Sequence, residues 1–320
     1  MTDAVLSIML QIVPGLSLVL AAILLLRPWV LARLGAPAAY RLWVLVPLWL
    51  AAAMPAVVWP AFMAAWLPVS GTAILLEAVR ATALAGPAAG ETTEALPAAL
   101  LVGTFWLIGV AAMLAMLAHR WIGAARLLQD ARPAPAQLSE QVPGVAHRAI
   151  GISDRLTGPT VVGIRQPRIL LPADFGERFD PETLTLILRH EAVHLGRRDN
   201  LANLLAELLL ALMWFNPLAW LARRAFRTDQ ELSCDSRALA ESAGPGRIAY
   251  ARSLLDLSTS SRSGPDSRAL ACPWHSMSTL KRRIKMIDIH HPGHFRRLPG
   301  LVLLAALAGA AVFVLPVAGA

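Results

Sequence analysis

The run AVLSIMLQIVPGLSLVLAAILLL, residues 4–26, contains no charged side chain. An α-helix needs about 20 mainly apolar residues to cross the hydrocarbon core of a bilayer, and this run is long enough to do so. Three further apolar runs cover residues 42–67, 98–117 and 301–317. The sequence therefore predicts a mainly α membrane protein with four transmembrane helices.

The composition of the whole chain agrees with this prediction. Hydrophobic residues make up 56% of the 320 residues and charged residues 16%, whereas ordinary soluble chains contain about 45–50% and about 25%. Only two cysteines are present, which excludes a disulfide-stabilised scaffold. The formal net charge is +8. Because the basic residues lie between apolar runs and not in a compact basic helix, they indicate membrane orientation and not direct nucleic-acid binding.

The distribution of arginine and lysine predicts which side of the membrane each segment faces. Residues 27–41 contain three arginines and no acid, whereas residues 68–97 contain three glutamates and one arginine. Short cytoplasmic loops are enriched in basic residues, so we expect the first segment to be cytoplasmic and the second to be an outside loop. Basic residues also flank the long segment 119–299: Arg120, Arg126, Lys281, Arg282, Arg283, Lys285, Arg296 and Arg297. We therefore expect a bacterial-type inner-membrane protein with this segment in the cytoplasm and both termini extracytoplasmic.

Two β-prone runs and a helix are predicted in the first part of the cytoplasmic segment. Thr160–Val162 and Arg168–Leu171 are separated by a five-residue turn, which is typical of a hairpin. The second run either offers a free edge to an extended substrate or closes a small sheet. Further on, Asp180 is a good helix N-cap and Pro181 suits the first helical position, so a helix is expected to begin there.

The predicted helix carries the motif His190-Glu191-Ala192-Val193-His194. Residues four apart share one helix face, so both imidazoles can reach one metal ion while Glu191 faces the water that such an ion carries. Zinc lowers the pKa of its bound water to about 7, and the glutamate then acts as catalytic acid and base. The motif therefore predicts zinc-dependent hydrolysis. The competing interpretation is a group of three solvated side chains on a helix surface.

A catalytic zinc ion usually has three protein ligands, so a third ligand must come from elsewhere. Glu231 and Asp235 stand four apart in a helical stretch, and this spacing lets Glu231 bind the metal while Asp235 accepts the ring N–H of a ligating histidine. Taken alone, the pair is more typical of a solvated helix face. Glu207 is a competing ligand without such a supporting carboxylate. Cys234 is either a competing thiolate or a packing residue, and Arg227 is either an oxyanion donor or part of an ion pair.

Residues 201–220 are nearly free of charge and contain Trp214-Phe215-Asn216-Pro217. Pro217 disfavours helical geometry at Asn216, so two helices with a break between them are expected. This segment is either the buried core of the zinc domain or a part of the chain that dips into the membrane. The sequence supports both interpretations about equally.

Several motifs form an ordered set along nearly the whole chain. In chain order they are Tyr40-Arg41-Leu42-Trp43, Trp106-Leu107-Ile108-Gly109, Gly163 to Pro172, His190 to His194, Trp214-Phe215-Asn216-Pro217, Glu231 to Asp235 and Leu280 to Met286. This set resembles the integral-membrane zinc metallopeptidases of the BlaR/MecR type, the β-lactam-sensing antirepressors and their relatives.

The resemblance implies a gluzincin-like α+β zinc protease domain over residues 119–299. This domain would lie between a three-span membrane region, residues 1–118, and a fourth span within residues 300–320. The resemblance also implies one Zn²⁺ ion and a set of site residues: the ligands His190, His194 and Glu231, the catalytic Glu191 and the supporting Asp235.

One departure from the β-lactam sensors affects the expected signal. Those proteins continue past the fourth span into a penicillin-binding domain, whereas this sequence stops at Ala320. We therefore expect no β-lactam sensing by that route. The signal would instead enter through the outside loop 68–97, a partner or the membrane itself.

Three functions remain open from the sequence. The resemblance implies signal-dependent proteolysis of a cytoplasmic protein, with a DNA-binding repressor as the candidate substrate. A second function is membrane-protein processing or quality control. A third is a non-catalytic signalling scaffold with structural zinc, but an intact Glu191 and an open water position argue against it. The expected partners are a protein substrate and the bilayer; the oligomeric state is not specified, and a homodimer is compatible with the sequence.

Overall fold

The computed structural model describes residues 2–53, 92–135, 138, 145–242, 244–260 and 277–287. The predicted fourth span, the second half of the second span and most of the outside loop lie outside these residues. Among the described residues, three helices are long and apolar enough to cross a membrane, namely Ile12–Leu34, Ala36–Ala53 and Leu100–Gln129. The chain is therefore a mainly helical membrane protein.

The described elements follow a simple order. They are α1 (Thr2–Leu34), α2 (Ala36–Arg41), a 3₁₀ turn (Leu42–Val44), α3 (45–53), α4 (Thr92–Gln129), β1 (Arg132–Pro133), a second 3₁₀ turn (His147–Ala149), β2 (Ile150–Ile152), β3 (Thr160–Val162), β4 (Arg168–Leu171), α5 (Phe175–Arg178), α6 (Pro181–Arg197), α7 (Asp199–Leu212), α8 (Pro217–Ala238), α9 (Gly244–Ser260) and α10 (Met277–Ile287).

The strands form one small sheet in the order β1-β2-β4-β3. Strands β3 and β4 pair antiparallel, with Thr160 opposite Leu170, so the predicted hairpin is confirmed. Strand β4 also pairs with β2, in parallel. Because both edges of β4 are paired, the interpretation of this strand as a free edge for a substrate is wrong, and it closes the sheet instead.

Helix α6 begins where the sequence predicted. The Asp180 carboxylate accepts a hydrogen bond from the backbone N–H of Thr183 at 3.0 Å, which satisfies one of the free N–H groups of the first turn. The helix then buries Leu184, Ile187 and Leu188 against the sheet and α9. This packing fixes the position of the helix that carries both motif histidines.

Helix α4 connects the membrane region to the sheet without a break. It continues past residue 118 to Gln129, so the predicted division between residues 118 and 119 falls inside a helix. Near its end, Ala124 and Leu127 pack on Val162 and Leu170 of the sheet. The sheet is therefore held close to the end of a candidate transmembrane helix.

The turn between α7 and α8 packs against the first and third apolar runs. The indole N–H of Trp106 donates to the carbonyl of Leu212 at 2.9 Å, and the indole N–H of Trp214 donates to the carbonyl of Trp106 at 3.2 Å. The Asn216 amide donates to the Ser17 hydroxyl at 2.7 Å. Ser17 and Trp106 lie well inside their apolar runs, so the turn between α7 and α8 packs on the middle of two candidate spans.

The close approach of this turn to α4 requires a glycine. A Cβ atom at Gly109 would overlap the indole ring of Trp214, whereas a Cβ atom at Gly103 of the same helix would meet no atom within 4 Å. We expect Gly109→Ala to lower the free energy of unfolding by about 1–3 kcal/mol through overpacking. Gly103→Ala is the matched control and should not destabilise the protein. Thermal unfolding in detergent compares them, and equal unfolding temperatures would contradict the docking of Trp214 on α4.

Helix α8 packs against the candidate spans with its first half and carries site residues on its second half. Its first half buries Ala219, Ala222 and Phe226 in a cluster with residues of α1, α2 and α3. Its second half carries the predicted site residues Glu231 and Asp235, both buried. One continuous helix therefore joins the packing of the membrane region to the candidate site.

Candidate metal centre

The motif side chains of α6 are buried beside one another. His190 and Glu191 have no exposed surface, and His194 is 1% exposed, so the solvated-surface interpretation of the motif is wrong. The Nε2 atoms of His190 and His194 are 3.1 Å apart, as expected for residues one helical turn apart. Both imidazoles thus present a ring nitrogen to the same point.

Helix α8 brings a carboxylate to that point. Glu231 lies with Oε2 at 3.5 Å from Nε2 of His190 and Oε1 at 3.7 Å from Nε2 of His194. Asp235, one turn later, contacts the other side of the first ring, with Oδ1 at 3.0 Å from Nδ1 of His190. The structure therefore brings together the four residues of the predicted metal site, with Glu231 in front of the histidines and Asp235 behind one of them.

A second carboxylate behind the histidines was not predicted. Oδ2 of Asp199 is 2.6 Å from Nδ1 of His194, so Asp199 has the same relation to this ring as Asp235 has to the ring of His190. The chain turns between α6 and α7 at Arg198, which has the left-handed backbone angles φ 55° and ψ 45°. This conformation is uncommon outside glycine, asparagine and aspartate, so the sequence did not predict the turn that aims Asp199 back at the histidine.

The two carboxylates define the hydrogen positions on the imidazoles. An Nδ1–H that donates to a carboxylate leaves the lone pair on Nε2. When both imidazoles are neutral, as metal ligands must be, the Nε2 lone pairs of His190 and His194 face each other, with Glu231 beside them. Such a set of electron pairs is repulsive unless a cation stands among them, either a proton on His190 in the metal-free site or a metal ion. Two imidazoles with one carboxylate form a donor set of catalytic zinc sites.

An arginine and a tyrosine hold the carboxylates in place. The guanidinium group of Arg283 lies 3.1 Å from Oε2 of Glu231 and donates to both oxygens of Asp235 at 2.7 and 2.8 Å. The Tyr250 hydroxyl donates to Oδ1 of Asp235 at 2.7 Å and lies 3.0 Å from Nδ1 of His190. Both residues were missed in the sequence.

Arg283 was counted among the basic residues that indicate membrane orientation, and its position in the structure corrects that interpretation. It is 1% exposed, so it does not belong with the solvent-facing basic residues that flank the membrane. Leu280 and Ile287 are buried on the same face of α10, and Ile284 is partly buried there. An arginine at helical spacing among these apolar residues is the sequence signal that predicts a buried ion pair.

The charges around the site set the protonation of its members. Burial alone lowers the pKa of His190, but hydrogen bonds to Asp235 and Glu231 outweigh it and raise that pKa to about 9. Burial raises the pKa of Glu231, but the charge of Arg283 and the hydrogen bond with His190 outweigh it and lower that pKa to about 2. Burial also raises the pKa of Asp235, but the charge of Arg283 and the hydrogen bond with His190 outweigh it and lower that pKa. Glu231 is therefore an ionised carboxylate at neutral pH.

The balance of charge also fits a divalent cation. Four acidic side chains are buried here: Glu191, Asp199, Glu231 and Asp235. Two arginines make direct ion pairs with them: Arg197 with Asp199, and Arg283 with Glu231 and Asp235. With both histidines neutral, as metal ligands must be, and all four acids ionised, two negative charges are left over, and a buried charge is costly unless it is paired. A doubly charged ion neutralises this excess.

Cys234 offers a second donor set with the same histidines. One ligand atom each from His190, His194 and Cys234 lies within 4.8 Å of the others. The sulfur is 3.4 Å from Nδ1 of His194 and 2.8 Å from the Arg197 guanidinium. It therefore lies on the side of the imidazole that faces Asp199, opposite the ring nitrogen that faces Glu231.

Glu207 and Arg227 lie in a different cluster. Glu207 pairs with Arg223 at 2.6 Å, and Arg120 and Arg227 each approach it at 3.7 Å. Glu207, the competing candidate for third ligand, is therefore paired with arginines in this cluster and not placed beside the histidines. The proposed oxyanion donor Arg227 likewise has the ion-pair role that was its alternative.

Residues near the junction of the first two candidate spans contact the candidate site and its helix. The Tyr40 hydroxyl donates to Oδ1 of Asp199 at 3.1 Å, and the Arg197 guanidinium lies 4.4 Å from the centre of the Tyr40 ring. Nearby, Arg27 and Trp43 both donate to Asp229, two residues before Glu231 on α8. The membrane region thus contacts Asp199, which lies behind His194, and helix α8, which carries Glu231.

A family comparison covers most of the chain. The profile of the family described as BlaR1 peptidase M56 matches residues 6–287 of the chain. The chain belongs to the BlaR1 peptidase M56 family. This membership confirms the resemblance to the BlaR/MecR type.

Individual relatives of this family match shorter stretches. The chain is 36% identical over 83 residues to the regulatory protein BlaR1 of Bacillus licheniformis, which covers 26% of this chain and 14% of that protein. It is 26% identical over 144 residues to the methicillin resistance mecR1 protein of Staphylococcus aureus, which covers 45% of this chain and 25% of that protein. The mecR1 protein of Staphylococcus epidermidis gives the same values. The matched stretches are thus a quarter or less of each relative.

Proposed function

We propose that this protein is a membrane-embedded zinc metalloendopeptidase that cleaves a cytoplasmic protein in response to a signal. The observation that carries the proposal is the convergence of the Nε2 atoms of His190 and His194 with the Glu231 carboxylate. The helix of the two histidines, α6, also carries the buried Glu191. Membership of a peptidase family supports hydrolysis of a peptide bond as the reaction. The names of the relatives, a regulatory protein and a resistance protein, support a signalling role.

The side chains of the site have separate tasks in this reaction. When bound, zinc supplies a Lewis acid that acidifies a water molecule and polarises the scissile carbonyl. Glu191 accepts the proton of the attacking water and returns it to the leaving amine nitrogen. Asp199 and Asp235 hold the Nδ1 protons of the two imidazoles and so keep both Nε2 lone pairs in position. Arg283 holds Glu231 and Asp235 in place between α8 and α10.

Glu231, and not Cys234, is our proposed third ligand for one zinc ion. Its oxygens approach Nε2 of both histidines, whereas the Cys234 sulfur approaches Nδ1 of His194. That nitrogen lies 2.6 Å from Asp199, so binding of the metal between sulfur and Nδ1 would require this contact to break. The carboxylate set needs no such rearrangement.

The membrane arrangement and the biological substrate are part of the same proposal. We propose four spans, with residues 1–118 as a three-span region, residues 119–299 as a gluzincin-like cytoplasmic domain and residues 300–320 as the last span. Both termini would then be extracytoplasmic. A DNA-binding repressor is the proposed substrate, on the resemblance to antirepressors. The contacts of Tyr40 and Arg27 with the site and its helix support a signal that enters through the spans.

Metal removal is the experiment that tests the proposed function. Protein purified in detergent and returned to liposomes should contain one zinc ion per chain and cleave a cytoplasmic substrate protein. A chelator should abolish cleavage, and one equivalent of zinc should restore it. Cleavage that survives complete removal of the metal would contradict the proposal.

The two carboxylates behind the histidines should each contribute to zinc affinity. We expect Asp199→Asn and Asp235→Asn each to weaken zinc binding by about 10–100-fold, since the amide no longer favours the required tautomer of the ligand. Competition with a chromophoric chelator measures the affinity. Asp256→Asn, on an exposed part of α9, is the control and should bind zinc as the unchanged protein does. An unaltered affinity in both site variants would show that these carboxylates do not support metal ligands.

A further inference from the structure

A cavity of about 470 Å³ lies between the end of α4, the β3–β4 turn and the start of α7. One wall is formed by a single face of α4, with Trp121, Ala125 and Leu128 among its residues. The opposite wall carries Arg165 and Arg168, and Asn200 also lines the space. The cavity is separate from the metal centre, and the proposed peptidase reaction does not use it.

Two buried polar atoms of this cavity, Nε of Arg168 and Oδ1 of Asn200, lack partners within the described part of the chain. Arg165 and Arg168 make no side-chain hydrogen bond or ion pair with any described residue. The Nε atom of Arg168 is buried and has no described hydrogen-bond partner. Asn200 is 4% exposed and donates through Nδ2 to the carbonyls of Val161 and Gly163. Its Oδ1 accepts no hydrogen bond from any residue that the structure describes. A buried polar atom without a partner is costly, so the cavity fits a ligand that brings both an anionic acceptor and a donor.

The outer surface of α4 leads from the membrane region directly to this cavity. Leu107, Leu114 and Trp121 are seven residues apart, so they share one helix face, and they are 58%, 41% and 38% exposed. Exposed apolar side chains on a candidate transmembrane helix are suited to contact with acyl chains. The tryptophan stands at the end of this stripe, where its amphipathic ring suits the membrane interface. An acyl chain can therefore lie along the stripe while its headgroup reaches the two arginines.

We propose that this cavity binds the phosphate and hydroxyl-bearing headgroup of an anionic phospholipid such as phosphatidylglycerol. The phosphate is held by Arg165 and Arg168, and a headgroup hydroxyl donates to Oδ1 of Asn200. One acyl chain lies against Leu107 and Leu114. Basic pockets beside transmembrane helices are suited to anionic headgroups.

Lipid binding to the full-length protein in detergent, measured by native mass spectrometry, tests the proposal. We expect the affinity for dioleoyl phosphatidylglycerol to fall by about 10–30-fold in Arg165→Gln/Arg168→Gln, because two charge contacts to the phosphate are lost. Arg148→Gln/Arg252→Gln removes two exposed arginines elsewhere and should leave the affinity unchanged. A second variant, Ala125→Phe, fills the cavity with both arginines intact and should reduce binding as well. If the double arginine variant does not fold, Ala125→Phe alone tests whether the cavity binds the lipid.

Two further probes separate the source of the phosphate. Dioleoyl glycerol has the acyl chains without the phosphate and should bind at least 10-fold more weakly. Glycerol phosphate has the headgroup without the chains and should also bind more weakly than phosphatidylglycerol. Equal binding of phosphatidylglycerol to the unchanged protein and to both cavity variants would overturn the proposal. Glycerol phosphate binding as tightly as the lipid would overturn it too, since the site would then serve a soluble anion.

Discussion

Glu191→Gln is expected to lower the rate of peptide cleavage by about 10²–10⁴-fold, the range of a lost general acid and base, while zinc stays bound. The substitution keeps the size of the side chain and removes its ability to accept a proton. Glu191 is not among the proposed ligands, and His190, His194 and Glu231 remain in the variant. Metal content and cleavage should be measured on the same purified sample in liposomes.

The control for this variant lies on the same helix. Glu182 is exposed in the first turn of α6, so Glu182→Gln makes the same chemical change away from the histidines and should retain full activity. Full cleavage by Glu191→Gln would exclude the proposed role of Glu191. Loss of zinc from this variant would indicate that Glu191 is a ligand and not a base.

Glu231→Ala is expected to lose both zinc and activity. The proposed catalytic set has three protein ligands, and in this variant only His190 and His194 remain. The loss should be visible as less than one zinc ion per chain after dialysis. The isosteric Glu231→Gln should also bind zinc weakly, because its amide oxygen carries no full negative charge.

Glu207→Gln separates loss of a ligand from general damage by a buried substitution. Glu207 is 6% exposed and paired with arginines, so this variant also breaks a buried ion pair but should keep its zinc. Circular dichroism verifies that both variants are folded. Retention of zinc by Glu231→Ala together with its loss from Glu207→Gln would reverse the assignment.

Local rules of helices and turns made much of the fold predictable from the sequence. Asp180 and Pro181 marked the start of α6, and Pro217 marked the break before α8. The bounds of β3 and β4 also match the predicted runs. These features depend on neighbours in sequence, so a single sequence contains the information that specifies them. The four-span count and the domain boundaries remain predictions.

The residues that support the metal centre depend on contacts between distant segments. Asp199 reaches His194 only because Arg198 adopts left-handed backbone angles, which its residue type does not favour. Tyr250 and Arg283 come from helices that follow the motif by many residues, and nothing local indicates that α9 and α10 pack on α6 and α8. The sequence pattern could predict a ligand set because helical spacing and known zinc motifs restrict the candidates, and that set remains a prediction. No comparable rule restricts Asp199 and Tyr250, and for Arg283 only its spacing among the apolar residues of α10 gives a signal.

X-ray absorption at the zinc edge of the purified, zinc-loaded protein tests the central claim most directly. Imidazole nitrogen, carboxylate oxygen and water ligands lie about 2.0–2.2 Å from zinc, whereas a thiolate sulfur lies at about 2.3 Å and scatters more strongly. We expect a coordination shell of two imidazoles and oxygen with no sulfur, unchanged in Cys234→Ser. A sulfur neighbour that disappears in Cys234→Ser, or a protein that binds no zinc, would contradict the ligand set of His190, His194 and Glu231.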